Sequence, residues 1–241
     1  MKAMILAAGK GTRLQSLTQD TPKALIKAGG LSLLERLIRK MKIQGISDVV
    51  INVHHHAEKI RSFLKEKDNF NISIKISDES EELLETGGGI LKAAGLLGND
   101  EPFIVHNVDI LSDIDLRSLY KSHVEGNALV TLAVKDRQTS RYLLFDEHLR
   151  MQGWENQSSG ERIVCGDQDS SLIKLAFSGI HVINPNIFPL ITESGKFSII
   201  KTYLRLCNVH LIRGYRHDKG MWIDAGKPEG LNLADMLMGS Q

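Results

Sequence analysis

The apolar run Met4-Ile5-Leu6-Ala7 passes directly into Ala8-Gly9-Lys10-Gly11-Thr12-Arg13-Leu14. A buried strand that ends in glycines, with a lysine and an arginine among them, brings backbone N–H groups and fixed positive charge against phosphates. A nucleoside triphosphate is the ligand this start points to. Spacing excludes two common versions of such a loop. A Walker A loop needs Gly-Lys-Ser/Thr, but Lys10 is followed by Gly11; a dinucleotide fingerprint needs a third glycine, where this chain has Leu14.

Apolar runs of strand length alternate with helical patterns along the chain. Leu34, Leu37, Ile38 and Met41 recur at helical spacing, Val49 to Val53 reads as a short buried strand, Glu58 to Glu66 as a charged surface helix and Ile72 to Ile76 as a strand. Ile90 to Leu97 reads as a helix entered through glycines, and Phe103 to His106 as a strand ending at Asn107-Val108-Asp109. This order predicts an α/β fold with a mostly parallel central sheet covered by helices on both faces. Ala128 to Val134 and Leu175 to Ile183 add strands, Arg141 to Trp154 a small β-hairpin insert, and Leu231 to Leu237 a closing helix. The polar stretch Glu155 to Ser171 is expected to be a mobile loop over the site. With no repeat and no long linker, residues 1–241 are expected to form one domain of two halves, 1–110, which carries the phosphate loop, and 111–241.

Composition narrows the partners. Across 241 residues, 30 basic side chains face 29 acidic ones for a formal net charge of +1, which argues against nucleic acid as a partner. Cys165 and Cys207 form no metal-ligand spacing, and the N-terminal apolar run is cut short by Gly9-Lys10-Gly11. The expectation is a cytoplasmic protein with no membrane span.

Asp109 ends a buried strand, which in an open α/β sheet is the ligand-binding edge. Trp222-Ile223-Asp224-Ala225-Gly226 offers a second carboxylate after a short apolar run. Magnesium is held by one or two carboxylates together with phosphate oxygens, so an aspartate pair is the minimum such a site needs. Glu85-Thr86-Gly87-Gly88-Gly89 opens a helix with three glycines, which allow close approach of a flat ring or a phosphate. Gly179 lies inside a strand, where a bulge, a tight packing contact or a ligand are all open. His54-His55-His56 is discounted as a metal site, because adjacent residues on an extended chain point to opposite faces. Glu79 to Glu82 is expected to be a solvated turn.

Two linked stretches, Leu6 to Leu14 and Thr21-Pro22-Lys23-Ala24-Leu25, make the chain resemble the sugar-1-phosphate nucleotidyltransferases, also called sugar-nucleotide pyrophosphorylases. Within that family it resembles the N-acetylmuramate-1-phosphate uridylyltransferases more than the mannose-1-phosphate guanylyltransferases. The resemblance implies a Rossmann-like nucleotide-diphospho-sugar transferase fold. It implies nucleotide contacts at Leu6, Ala8, Gly9, Gly11, Thr12, Arg13, Lys23, Glu85 and Gly88, with Arg13 and Lys23 catalytic. It also implies a magnesium ion on Asp109 and Asp224, and sugar-phosphate contacts at Asn107, Arg141 and Gly179. Two departures stand out. Val108 replaces the glycine usual before the metal aspartate, which is expected to narrow the nucleotide's path. Glu155-Asn156 replaces a Glu-Lys-Pro whose lysine grips the sugar phosphate, leaving Arg141 as the candidate substitute.

The implied reaction is attack by a sugar 1-phosphate on the α-phosphorus of a nucleoside triphosphate, releasing pyrophosphate. A phosphate monoester has a second pKa of about 6, so the nucleophile is already largely dianionic at neutral pH. No general base is required, and the sequence holds no Ser-His-Asp or Cys-His constellation. UTP is the expected nucleotide. The alternatives are a guanylyltransferase acting on mannose 1-phosphate, a cytidylyltransferase for another phosphorylated alcohol, and a non-catalytic sugar-nucleotide sensor.

Overall fold

The computed structural model describes residues 1–98, 100–165 and 171–239. In chain order the elements are β1 (Lys2–Leu6), the short ribbon β2 (Lys27–Ala28) and β3 (Leu31–Ser32), α1 (Leu33–Ile43), β4 (Asp48–Val53), α2 (Ala57–Glu66), β5 (Ser73–Asp78), α3 (Glu85–Lys92) and α4 (Ala94–Leu97). There follow β6 (Phe103–Asn107), β7 (Ile110–Ser112), α5 (Leu116–Glu125), β8 (Val130–Lys135), β9 (Arg141–Phe145), β10 (Met151–Asn156), β11 (Glu161–Val164) and β12 (Ile173–Ile183). The chain closes with α6 (Ile199–Leu206), β13 (Ile212–Arg216), β14 (Trp222–Asp224) and α7 (Pro228–Met238).

Alternation along the strands builds two cores. Ala3 and Ile5 of β1 face one way, against Leu34, Ile38 and Met41 of α1, Ile60 of α2, Leu116 of α5 and Leu231 of α7. Met4 faces the other way, against Ile90 of α3, Leu97 of α4 and Tyr203 of α6. A sheet apolar on both faces must be covered on both, and the helices divide accordingly. α1 starts where Ser32 accepts a hydrogen bond from the Glu35 N–H at 3.1 Å, the usual N-cap arrangement.

β1 pairs in parallel with β4 on one side and β6 on the other. β5 continues beyond β4. Past β6 come β12, then β8, then β13. Across β13-β8-β12-β6-β1-β4-β5 only β12 runs against the rest, so the sheet is mostly parallel as expected. The chain leaves β1 toward β4 and returns to β6 on its opposite side, which opens a crevice at the carboxyl ends of β1 and β6.

Two expectations are corrected here. The insert is a three-stranded meander, β9-β10-β11, joined to the first residues of the long β12. Glu155-Asn156, the end of β10, and Glu161 to Val164, which is β11, were expected in a loop and are therefore strands; the rest of that predicted loop includes residues 166–170, which lie outside the described ones. The three glycines do not precede a helix but lie within α3, which ends at Lys92 and restarts as α4. Among the described residues no helix is long and apolar enough to cross a membrane.

Candidate active site

The chain leaves β1 at the crevice and turns at Gly11, whose φ of +68° is a left-handed value that glycine adopts without strain. A side chain there would also come within 2.7 Å of the Thr18 methyl and 3.1 Å of Lys23 Cβ. This turn sets Thr12–Thr18 as a 3₁₀ segment that buries Leu14 and leaves Arg13 exposed at the mouth of the crevice. Pro22 then starts a second 3₁₀ turn, Lys23–Leu25, which returns Lys23 to the loop: its Nζ lies beside Gly9.

Asp109 sits in the tight turn between β6 and β7. Pairing of β7 with β14 sets Asp224 opposite Ile110, and the Ala225 N–H donates to the Asp109 carbonyl at 2.9 Å. Two carboxylates separated by more than a hundred residues thereby flank one point. A side chain at Gly226 would strike Asp109 Oδ2 and come within 3.0 Å of Asp224 Oδ1, so this glycine keeps the space between them open. Cations surround the pair. Lys23 Nζ donates to Asp109 Oδ2 at 2.7 Å, while Arg13 Nη1 and Lys227 Nζ stand 3.6 and 3.7 Å from Asp224 Oδ2. Val108 does not narrow this path: its side chain is fully buried in the core and its N–H is held by the Leu6 carbonyl at 3.1 Å.

Beyond Asp224 lies a cavity of about 660 Å³ whose lining includes Asn107, Arg141 and Gly179, with walls from Tyr142, Trp154, Phe177 and Trp222. Gly179, with φ +74°, sits at the bulge where β12 shifts register against β8. A side chain there would meet Asn107 Nδ2 at 2.9 Å, so the bulge, the tight packing and the cavity wall coincide at this residue. The bulge also frees carbonyls. Phe177 C=O accepts from Arg137 Nη2 and Ser178 C=O accepts from Trp222 Nε1, both at 3.0 Å.

Arg137 was not legible in the sequence, where Lys135-Asp136-Arg137-Gln138 reads as an ordinary polar connection. Its guanidinium lies 3.8 Å from the centroid of the Trp222 ring and lines the cavity. Its Nε is buried without a hydrogen-bond partner among the described residues. Burial pulls its pKa below the usual guanidinium value, with Asp224 opposing. Lys201, one turn into α6, adds another cation to the lining. Arg141, the expected substitute for the missing lysine, is an exposed residue at the start of β9 that also reaches the cavity. Glu155, which stands at the departure from Glu-Lys-Pro, is buried and accepts from Lys174 Nζ at 2.6 Å.

The glycine-rich helix start is packed closely by protein. A side chain at Gly87 would strike the Phe197 ring, and one at Gly88 the Gly195 carbonyl. Thr86 Oγ1 accepts from the Ile199 N–H at 3.0 Å and Gly87 N–H donates to the Phe197 carbonyl at 2.8 Å, tying this turn to α6. Glu85, at φ +59°, is half-exposed with its carboxylate 3.8 Å from Lys196 Nζ. Glu79 corrects the expectation of a solvated turn, since it is fully buried. Burial pushes its carboxyl pKa up, against the hydrogen bonds it accepts from Asn52 Nδ2 at 2.7 Å and the Leu84 N–H at 3.2 Å. His54 Nδ1 contacts the Glu79 carbonyl at 2.7 Å, and among the described residues no three His, Cys, Asp or Glu side chains form a metal cluster.

The family model described as nucleotidyl transferase matches residues 2–240. The chain is 32% identical over 248 residues to an N-acetylmuramate alpha-1-phosphate uridylyltransferase of Neisseria meningitidis, covering 100% of this chain and 99% of that protein. It is 29% identical over 240 residues to the protein of the same name in Caulobacter vibrioides, covering 97% and 95%. A solved structure, HddC from Yersinia pseudotuberculosis complexed with GMP-PN, superposes with a TM-score of 0.80 at 22% identity, covering 98% of each chain.

Proposed function

The chain belongs to the nucleotidyl transferase family, and we propose from this that it transfers the uridylyl group of UTP to a sugar 1-phosphate, releasing pyrophosphate and forming a UDP-sugar. The observation that carries this reading is the convergence of Arg13, Lys23, Asp109 and Asp224 at one crevice, with an aromatic-walled cavity beside it. On this reading residues 1–110 bind the nucleotide, residues 111–241 bind the sugar phosphate, and the enzyme works in the cytoplasm. The phosphate loop, with Leu6, Ala8, Gly9, Gly11 and Thr12, receives the triphosphate. Arg13 holds the departing pyrophosphate. Lys23 exchanges Asp109 for the α-phosphate and balances the charge that develops there. Asp109 and Asp224 suit magnesium, because two hard oxygen donors flank an open space beside the phosphates. A magnesium ion bound there would supply further charge neutralisation.

Four cations, Arg13, Arg137, Arg141 and Lys201, line the cavity against one carboxylate, Asp224. That balance suits a sugar phosphate with a second acidic group, as N-acetylmuramate 1-phosphate has. Against the sensor reading stand Val108, whose side chain points into the core, and Arg137, which puts a cation on the cavity wall. Incubating the protein with each of the four triphosphates and a panel of sugar 1-phosphates, and measuring pyrophosphate, tests the proposal directly. UTP with an N-acetylmuramate-type acceptor is the expected best pair.

Base choice has its own test. Uracil presents an N–H between two carbonyls, which backbone groups can read unaided, whereas guanine adds an exocyclic amine for which Glu85 is the acceptor this loop offers. Glu85 already faces Lys196. Glu85→Ala is therefore expected to change kcat/KM for UTP by less than about threefold. If guanine were the base, GTP turnover would fall about 10- to 100-fold, the value of a hydrogen bond to a charged group at ~1.5–3 kcal/mol. A GTP preference of tenfold or more in the native protein moves the chain to the guanylyl branch.

Arg137→Ala is expected to raise KM for the sugar 1-phosphate at least about tenfold by the same arithmetic, with KM for UTP nearly unchanged. Arg141→Ala should cost less, because its guanidinium is more exposed and more strongly screened. Steady-state kinetics with each substrate varied in turn checks both. Equal effects of the two variants would remove Arg137 from its role.

A further inference from the structure

The phosphate loop and the glycine-rich turn come from separate strands, yet a single buried pair of side chains touches both. Asn52, near the end of β4, accepts from the Ala7 N–H through Oδ1 at 2.7 Å and donates through Nδ2 to Glu79 Oε1 at 2.7 Å. Glu79, just past β5, accepts from the Leu84 N–H through Oε2 at 3.2 Å. The relay therefore runs Ala7–Asn52–Glu79–Leu84, from the residue that opens the phosphate loop to the one that precedes Glu85. Both side chains are buried, Asn52 at 2% exposure and Glu79 at 0%. Gly89 completes the arrangement: a side chain there would lie 2.7 Å from Glu79 Oε1 and 2.9 Å from Asn52 Nδ2.

A buried carboxylate is costly unless its oxygens are paired, and a well-packed apolar pair usually stabilises a core at least as well. Stability alone therefore gives no reason to place Glu79 here. We propose that Asn52 and Glu79 form a positioning bridge that sets the phosphate loop and the glycine-rich turn in register, so that triphosphate and base are gripped as one rigid unit; this rests on the nucleotide-binding role proposed for both loops. Neither residue contacts substrate. Their effect is to fix the backbone that does, as a preorganised binding site requires.

The test uses isosteric changes. Glu79→Gln keeps shape but turns one acceptor into a donor facing a donor, and Asn52→Asp turns one donor into an acceptor facing an acceptor. Together they exchange the roles: the carboxylate at position 52 accepts from Ala7 and from the amide at position 79, whose carbonyl accepts from Leu84, so all three hydrogen bonds return. Kd for UTP by calorimetry with magnesium, KM for UTP and for the sugar 1-phosphate, and Tm are measured for the native protein, both single variants and the double variant. Each single variant is expected to raise Kd and KM for UTP about tenfold or more and to move KM for the sugar 1-phosphate less than about threefold. The double variant should return to within about threefold of native. Unchanged UTP affinity in Glu79→Gln overturns the proposal, as does equal loss for both substrates or a double variant no better than its parents. Failure of the native protein to bind UTP overturns the nucleotide-binding reading and the bridge with it, which separates that outcome from the others. Should Asn52→Asp fail to fold, the comparison of Glu79→Gln with the double variant still decides.

Discussion

Replacing Asp109 or Asp224 by asparagine is expected to lower kcat about 10²- to 10³-fold, the scale of losing one preorganised electrostatic group. Asparagine preserves shape, so the loss reads charge and not packing. On the proposed function each carboxylate has two tasks: it would offer oxygen to a cation beside the phosphates, and it holds basic side chains in place before substrate arrives. Asp109 does the second for Lys23 at 2.7 Å, and Asp224 for Arg13 and Lys227 at 3.6 and 3.7 Å. Without one charge, the three cations repel each other and the space kept open by Gly226 loses half of its donors. Because both residues serve one constellation, the double variant should be little worse than either single variant. Pyrophosphate release at saturating magnesium measures this, and a chelator should abolish release by the native protein. Full activity in either single variant would take that residue out of the site.

The fold was largely legible because its signals are local. Strand-length runs at Met4 to Leu6, Val49 to Val53 and Phe103 to His106, separated by helical periodicity, predict a covered parallel sheet, and the sheet order puts their carboxyl ends together. The aspartates were legible as separate residues only. Their meeting depends on the pairing of β7 with β14, which brings Asp224 beside the turn holding Asp109, and no pattern in the chain announces that pairing.

The misreadings share a cause: residues judged by type when their surroundings decided. Glu79 heads an acidic run that looks solvated, yet Asn52, 27 positions earlier, gives it a buried partner. Glycines at 87 to 89 also answer to packing that the sequence does not announce: an added side chain would meet Phe197 at Gly87, Gly195 at Gly88 and the Glu79–Asn52 pair at Gly89. Val108 looks like an obstruction because its position in the sequence fixes its neighbours but not which way its side chain points. Arg137 gains significance only from Trp222 beneath it and Phe177 beside it, both more than thirty-five positions away.

Arg13→Lys is expected to lower kcat about 10²-fold or more while changing KM for UTP little. Arg13 is the most exposed of the cations around the carboxylates, with 65% of its side chain open to solvent and Asp224 at 3.6 Å. That is too long for a tight hydrogen bond, so before reaction the guanidinium is only loosely held. On the proposed function its planar fork grips two phosphate oxygens at once, and a lysine's point charge cannot reproduce that. The advantage grows as negative charge builds on the departing pyrophosphate, so it belongs to the transition state and shows in kcat. Lys23 makes the contrast. It already holds a close partner in Asp109, must give up that contact to reach the α-phosphate, and has 16% of its side chain exposed. Lys23→Ala should therefore lower kcat by a similar factor and also leave Asp109 without its charge partner, so that Tm falls as well. Measuring kcat, KM and Tm on both variants separates the two roles: a rise in KM alone for Arg13→Lys would show that Arg13 binds UTP and its transition state equally, and would remove it from pyrophosphate departure.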